Sequence, residues 1–215
     1  MSLSCGTVIL PTAYLPPVQW FVCLMNARKV LIEQYETYPK QTYRNRCEIA
    51  SANGKLALTI PVVKVNGNHT KTNKIAISDA ENWQILHWRA LEAAYANSPY
   101  FLYYRDELEP FYTGKFNNLL DFDLELIRLI LQLTGIEKTL EMTASFELHP
   151  AEALDLRHII TPKKPFTLFT LPVYYQVFED RNGFLPGMSI IDLLFNSGPE
   201  TRDVLSRVKI NNLPV

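Results

Sequence analysis

The chain has 215 residues, 47% of them hydrophobic and 20% charged, with a formal net charge of −1. That size and apolar content suit a single domain over residues 1–215 with a core of useful volume. The near-neutral balance excludes nucleic-acid binding driven by bulk charge.

Glycine is scarce, at 8 residues, and neither G-x-G-x-x-G nor G-x-x-x-x-G-K-[ST] occurs. The sequence therefore names no cofactor and shows no dinucleotide fingerprint. Cys5, Cys23 and Cys47 are widely spaced and form no C-x-x-C pair, which suits buried thiols in a reducing compartment. The start carries no basic leader, and no apolar run approaches the roughly 20 residues of a membrane span. A cytoplasmic protein with no membrane span is the expectation.

In chain order, Thr7–Leu10 reads as a short buried strand. Pro16-Pro17 opens an apolar stretch, Val18–Ala27, that suits a helix with proline at its first turn. Lys29–Ile32 reads as the next strand, so the N-terminus suggests a strand-helix-strand parallel crossover. Tyr43–Ile49 alternates, with Arg44, Arg46 and Glu48 on one face. Asn53-Gly54 marks a hairpin turn and Leu56–Val65 the return strand. Asn66-Gly67 closes another turn toward Lys74–Ile77.

Ser78-Asp79-Ala80-Glu81 has capping-box spacing and predicts a helix from about Asp79 to Asn97. Tyr100–Tyr112 reads as an aromatic-rich helix. Leu119–Leu133 is apolar except for a stripe of Asp121, Glu125, Arg128 and Gln132, which predicts a buried helix ending at Gly135. Thr139–Glu147 and Tyr174–Phe178 read as strands, and Ser189–Phe195 as a capped helix. The sum is an α/β fold: a mixed sheet, an inserted β-hairpin and several packed helices.

The segment Glu33–Arg46 combines charges with Tyr35, Tyr38 and Tyr43, a mixture that suits a pocket wall for a polar, partly anionic ligand. Arg44 and Arg46, with Lys40, would form an anion clamp if they share a strand face; a solvent-facing strand paired to Glu48 is the plainer reading. Glu33 and Glu36 follow a strand end, where ligands of open α/β sheets collect; they could hold sugar hydroxyls or accept a proton, and simple ion pairing, as with Lys40, is the plainer reading. Tyr14 follows the first strand toward the same edge. Asn45 is expected to fix backbone.

His87 sits in an apolar helical arc, either as a buried histidine with a satisfied hydrogen bond or as the general acid or base of a cleft. Trp88 and Tyr95 lie on an adjoining arc and read first as core, second as a stacking platform. Asp192 and Asp123 read as helix-capping residues. The histidines and cysteines share no metal-ligand spacing, and G-x-S-x-G is missing.

Four stretches carry a family resemblance: TAYLPPVQWF, ETYPKQTYRNRCEI with the following LTIPV, WQILHWRALEAAYANSPYF, and YYQVFEDRNGFLPGMSIIDLLFNSGP. Together they resemble the WbqC-like family of bacterial proteins, named from a surface-polysaccharide (O-antigen) gene cluster. Many members carry His-Gln-Pro ahead of the tyrosine, where this chain has Leu10-Pro11-Thr12. The resemblance points to Tyr14, Gln41, Asn45, Arg46, His87 and Trp88 as site positions. It implies a bacterial cytoplasmic protein, and the leading expectation beside it is an enzyme of surface-polysaccharide precursor metabolism that binds a nucleotide-linked or phosphorylated sugar. Two readings follow: group transfer, with His87 or Glu33 moving a proton and Lys40, Arg44 and Arg46 holding phosphate, or a non-catalytic sugar-binding or accessory protein. An interaction protein using the aromatic surface at Tyr100–Tyr112 is a third.

Overall fold

The run Thr7-Val-Ile-Leu-Pro11 forms β1 (Thr7–Pro11), and Lys29-Val-Leu-Ile-Glu33 forms β2 (Lys29–Glu33), joined by α1 (Val18–Asn26). The computed structural model describes residues 6–79, 81–163 and 168–211; Cys5 and Ala80 lie outside them. The two strands pair in parallel, as a crossover through a helix requires. Pro17 precedes the first turn of α1, and the Trp20 indole donates to the Pro11 carbonyl, tying helix to strand end.

Two short strands complete a four-stranded parallel sheet in the order β7-β2-β1-β8: β7 (Leu140–Met142) and β8 (Ala153–Asp155). Val8, Leu10, Val30 and Ile32 are buried in the core with α1. The opposite face carries Thr7, Ile9, Lys29 and Leu31. Pairing Glu33 with Pro11, and Asp155 with Ile9, places both carboxylates on that second face.

The hairpins stand beside this sheet as separate ladders. β3 (Arg46–Ser51) pairs antiparallel with β4 (Gly54–Thr59) around the Asn53-Gly54 turn. The expected return strand Leu56–Val65 breaks at Ile60-Pro61, because proline cannot donate to a ladder. Its remainder is β5 (Val62–Lys64), which pairs with β6 (Ile75–Ile77).

The helices follow their patterns with corrected ends. The expected capping box is not used: α2 spans Trp83–Tyr95, no side chain caps it, and the Ser78 amide donates instead to the Pro61 carbonyl. The aromatic helix is interrupted near Pro110 into α3 (Phe101–Leu108) and α4 (Pro110–Thr113). α5 spans Leu119–Leu133, capped by Asn118 and exposing the stripe Asp121, Glu125, Arg128 and Gln132.

Thr139–Glu147 is strand only at β7, because Thr143 turns to donate its hydroxyl to Glu33. Tyr174–Phe178 joins no ladder among the described residues. Its alternation has another cause: Tyr174 and Gln176 point inward to Asp192, while Val173 and Tyr175 face solvent. The short strand in that region is β9 (Phe169–Thr170), paired with β10 (Lys209–Ile210). Between them lie α6 (Glu179–Asn182), α7 (Ile190–Ser197) and α8 (Thr201–Ser206). Among the described residues no helix is long and apolar enough to cross a membrane.

Candidate functional site

The order of the parallel strands reverses between β1 and β8, and ligands of open α/β sheets commonly bind beyond such a point. Here that edge is filled by a buried ionic cluster. Glu33 Oε1 accepts from the Tyr35 and Glu36 amides at 2.7 and 3.2 Å and from Thr143 at 3.1 Å. Its Oε2 meets Arg157 Nη1 at 3.0 Å, and Arg157 also grips Asp155 at 2.7 Å. Burial pushes the Asp155 carboxyl up, but the bonds from Arg157 outweigh it and hold the group below its usual range.

Arg44 is buried with Glu36, Nε to Oε1 at 2.6 Å, and its Nη2 reaches the Arg157 carbonyl at 3.3 Å. Beside it, Thr12 donates to Asp123 Oδ2 at 3.0 Å. Asp123 is therefore a partner of the β1 edge and not the expected cap, a role that falls to Asn118. Burial raises the Asp123 carboxyl well above its ordinary value, against the Thr12 bond and the Arg44 charge. Each such ion pair is worth little against a well-packed apolar alternative, yet breaking one leaves a buried charge uncompensated.

A second network surrounds His87. Its pKa is lowered to about 4 by burial, opposed by a bond to the Thr59 backbone, so the ring is neutral at physiological pH. The ring also lies against the Thr59 backbone, and its Nδ1 is 3.0 Å from the Tyr14 hydroxyl, which donates to it when the proton sits on the other nitrogen. The Tyr112 hydroxyl lies 3.0 Å from the Tyr14 oxygen. Trp88 stacks on Tyr112 with centroids 5.4 Å apart. Tyr14, His87 and Trp88 are thus brought together, as packed core.

The basic residues do not converge. β3 begins at Arg46, so Arg44 lies before the strand and points inward, and the shared face needed for an Arg44–Arg46 clamp is not formed. Arg46 is half-buried and pairs with Glu48 at 3.4 Å. Asn45 donates to the Ile60 carbonyl at 2.7 Å, the expected backbone role. Lys40 and Gln41 are exposed, Gln41 with a left-handed φ of 57°.

Among the described residues, two surface clefts bear on ligand binding. The first, about 640 Å³, lies over the open sheet face, with Lys29, Leu31 and Thr143 in its lining. Glu141, Glu147 and Glu152 make it acidic, which disfavours phosphate. The second, about 670 Å³, is bounded by α1, the β3–β4 hairpin and the segment before α7. Tyr43, Phe169, Phe184 and Pro186 give it an apolar wall, and Lys55 and Lys163 bring positive charge. Glu48 lines it too, with Arg46 as its partner.

This second cleft joins three of the resemblance stretches: Gln19 from the first, Tyr43 and Glu48 from the second, and Phe184, Pro186 and Gly187 from the last. Backbone contacts hold them in place. Val18 donates to the Met188 carbonyl at 3.0 Å and Ser189 to the Glu48 carbonyl at 2.8 Å. Leu15 takes a left-handed φ of 41° in the turn leading into α1, and the Ser189 hydroxyl holds its carbonyl at 2.8 Å. A bulky residue at such a φ is strained, and the clasp maintains it.

Behind the wall stands Asp192. Tyr95 and Tyr174 donate to its two oxygens at 2.9 and 2.7 Å, and Gln176 Nε2 at 2.7 Å. The capping-box role expected of it is not taken; Ser189 alone caps α7. Gln176 also brackets Leu185, accepting from its amide at 2.8 Å and donating to its carbonyl at 3.0 Å. Asp192 so fixes the segment that carries Phe184 and Pro186. Burial raises its carboxyl, while the three donors oppose the shift.

Sequence reasoning singled out Tyr43 and Arg46 near this cleft but missed Gln19, Lys55, Lys163 and the 184–187 wall. Asn-Gly and Pro-Gly turn signals lie close to Lys55 and Phe184, but only the fold brings them together. Arg157, which binds Glu33 across 124 positions, carried no local signal.

The fold and its sites define an α/β protein with a buried ionic cluster at the sheet edge and a cationic, aromatic-walled cleft beside its hairpin. The chain belongs to the WbqC-like protein family, whose sequence profile matches residues 12–164. It is similar to the uncharacterized protein Rv1507c of Mycobacterium tuberculosis, 27% identical over 222 aligned positions covering 92% of this chain and 96% of the relative. No solved structure matches.

Proposed function

We propose that the protein binds a phosphorylated or nucleotide-linked sugar in the cleft beside the β3–β4 hairpin and serves bacterial surface-polysaccharide precursor metabolism. The observation that carries this reading is the lining itself: Lys55 and Lys163 beside Tyr43, Phe169 and Phe184 in a space of about 670 Å³. Lysines suit phosphate and aromatic faces suit a sugar or base, and a space of that size matches small-ligand sites generally. The surface-polysaccharide context rests on the family's association.

Delivery or sensing of the ligand without turnover fits better than group transfer. A proton carrier needs a free lone pair or proton within reach of substrate. His87 is buried with its Nδ1 on Tyr14, and Glu33 spends both oxygens on four donors. Group transfer would instead fall to Glu48, the carboxylate among the cleft's lining residues, after release from Arg46.

A thermal-shift panel of nucleotide sugars and sugar phosphates tests the reading. A true ligand raises the melting temperature in proportion to the logarithm of its concentration. Loss of that response in Lys55→Ala/Lys163→Ala assigns the cleft, and turnover of the bound compound would restore the transferase reading.

A further inference from the structure

Gln19 stands on the first turns of α1 and is 2% exposed, yet it lines the cationic cleft. Its Oε1 is buried with no hydrogen-bond partner among the described residues. Buried amide oxygens are normally paired, so an orphan in the wall of a cleft points to a donor supplied from outside the protein. Ser51, Asn45 and Asn182, polar side chains in or beside the hairpin, each donate to backbone carbonyls.

The wall opposite explains how the amide is kept in place. Gly187 has a φ of +75°, and a Cβ there would lie 2.8 Å from Gln19 Nε2. The amide therefore rests against bare backbone, and a larger residue at 187 would displace it. Two features thus converge on one group: an unsatisfied acceptor, and a neighbour without a side chain that makes room for it.

We propose that Gln19 is the specificity-determining residue of this cleft and reads an amide or imide N–H on the phosphorylated ligand. The inference rests on the reading that the cleft takes such a ligand. A side-chain amide offers an acceptor and a donor side by side, the complement of an imide edge. Oε1 accepts the ligand's N–H, and on an imide Nε2 also donates to the adjacent carbonyl. Lys55 and Lys163 take the phosphate, and the rings of Tyr43 and Phe184 pack on the remainder. That N–H has two sources: the acylamino group of an amino sugar, whose trans geometry points its carbonyl away, or the imide of a pyrimidine base, which carries its carbonyl on the same edge.

Calorimetric titration with two pairs of probes separates the sources. N-acetylglucosamine phosphate and glucose phosphate, both phosphorylated at the anomeric carbon, differ only in the acetamido group. Uridine monophosphate and ribose phosphate differ only in the base. The wild-type protein prefers the amide-bearing member of one pair, and that pair names the source. Gln19→Leu, close in volume, lowers affinity for that member about 10- to 100-fold, bringing it level with its partner probe, which is unaffected. Gly187→Ala does the same by displacing the amide.

Equal wild-type affinity within both pairs overturns the inference, as does a preference that survives Gln19→Leu; in either case phosphate binding persists and the proposed function stands. Binding of none of the four probes overturns both. Melting temperatures of the free variants control for folding. Should Gln19→Leu fail to fold, Gln19→Asn, which withdraws the amide by one methylene, gives the same comparison.

Discussion

The Tyr14 hydroxyl and His87 Nδ1 lie 3.0 Å apart and join the loop after β1 to α2 across 73 positions. A neutral His87 accepts the Tyr14 proton at Nδ1, so protonating the ring would destroy that bond. The pair is a neutral strut, with acid as its weakness.

The pH dependence follows from the His87 pKa, about 4 when folded against an ordinary value of 6.5. Between these values the unfolded chain binds the extra proton, so stability rises with pH across the window. The contribution is complete above the unfolded value and is lost as pH falls toward the folded one. From pH 7.5 to pH 5 the loss is about 2 kcal/mol. Urea titrations at both values should show it for the wild type and not for His87→Gln. Asp123 and Asp192 titrate with the opposite sign, but equally in both proteins. Identical pH slopes would mean that the ring is protonated in the fold.

Arg157 holds Glu33 and Asp155 at once and carries the Glu147 carbonyl at 2.7 Å. Arg157→Ala leaves the buried Glu33 without its cation, and about 3–5 kcal/mol of stability should be lost. Glu33→Gln keeps the acceptor oxygen for Tyr35 and Glu36 and should cost less. Denaturant midpoints compare them directly; the reverse order would show that the backbone bonds, and not the ion pair, secure this edge.

What the sequence made legible follows from the range of the forces involved. The crossover β1–α1–β2, the Asn53-Gly54 hairpin and α5 rest on local patterns, and the structure keeps all three. Arg44 misled because strand alternation was extended three residues too far: the ladder starts at Arg46, and Arg44 is drawn inward by Glu36, eight positions back. Tyr174 and Gln176 imitated a strand because both answer to Asp192. The cleft itself was illegible, since Gln19 and Gly187 meet only through long-range packing.

Asp192 offers a test of that packing. Asp192→Ala strands the hydroxyls of Tyr95 and Tyr174 and one amide hydrogen of Gln176, each worth about 1 kcal/mol or more when left unpaired. A loss of roughly 3 kcal/mol is expected, with weaker ligand binding because Leu185 and its neighbours loosen. Asp192→Asn retains an acceptor and should lose less. Hydrogen exchange at the Leu185 amide reports the loosening; unchanged protection there in Asp192→Ala would separate Asp192 from the cleft wall.

Gly198 ends α7 with a φ of +53°, and a Cβ there would come within 2.5 Å of the Tyr100 ring. Gly198→Ala should cost about 1–3 kcal/mol from backbone strain and crowding combined. Adding Tyr100→Ala should recover the crowding part alone, so the double-mutant cycle reads it as a coupling energy. No coupling would leave backbone strain as the whole effect.

The most direct test of the account is the melting temperature against ligand concentration for three proteins: wild type, His87→Gln and Lys55→Ala/Lys163→Ala. At about a hundredfold excess over the dissociation constant a bound ligand stabilises by about 2.7 kcal/mol. The account predicts that response in the wild type and in His87→Gln, and its loss in the double lysine variant. A double lysine variant that responds like the wild type, or no response to any phosphorylated sugar or nucleotide sugar, would contradict it.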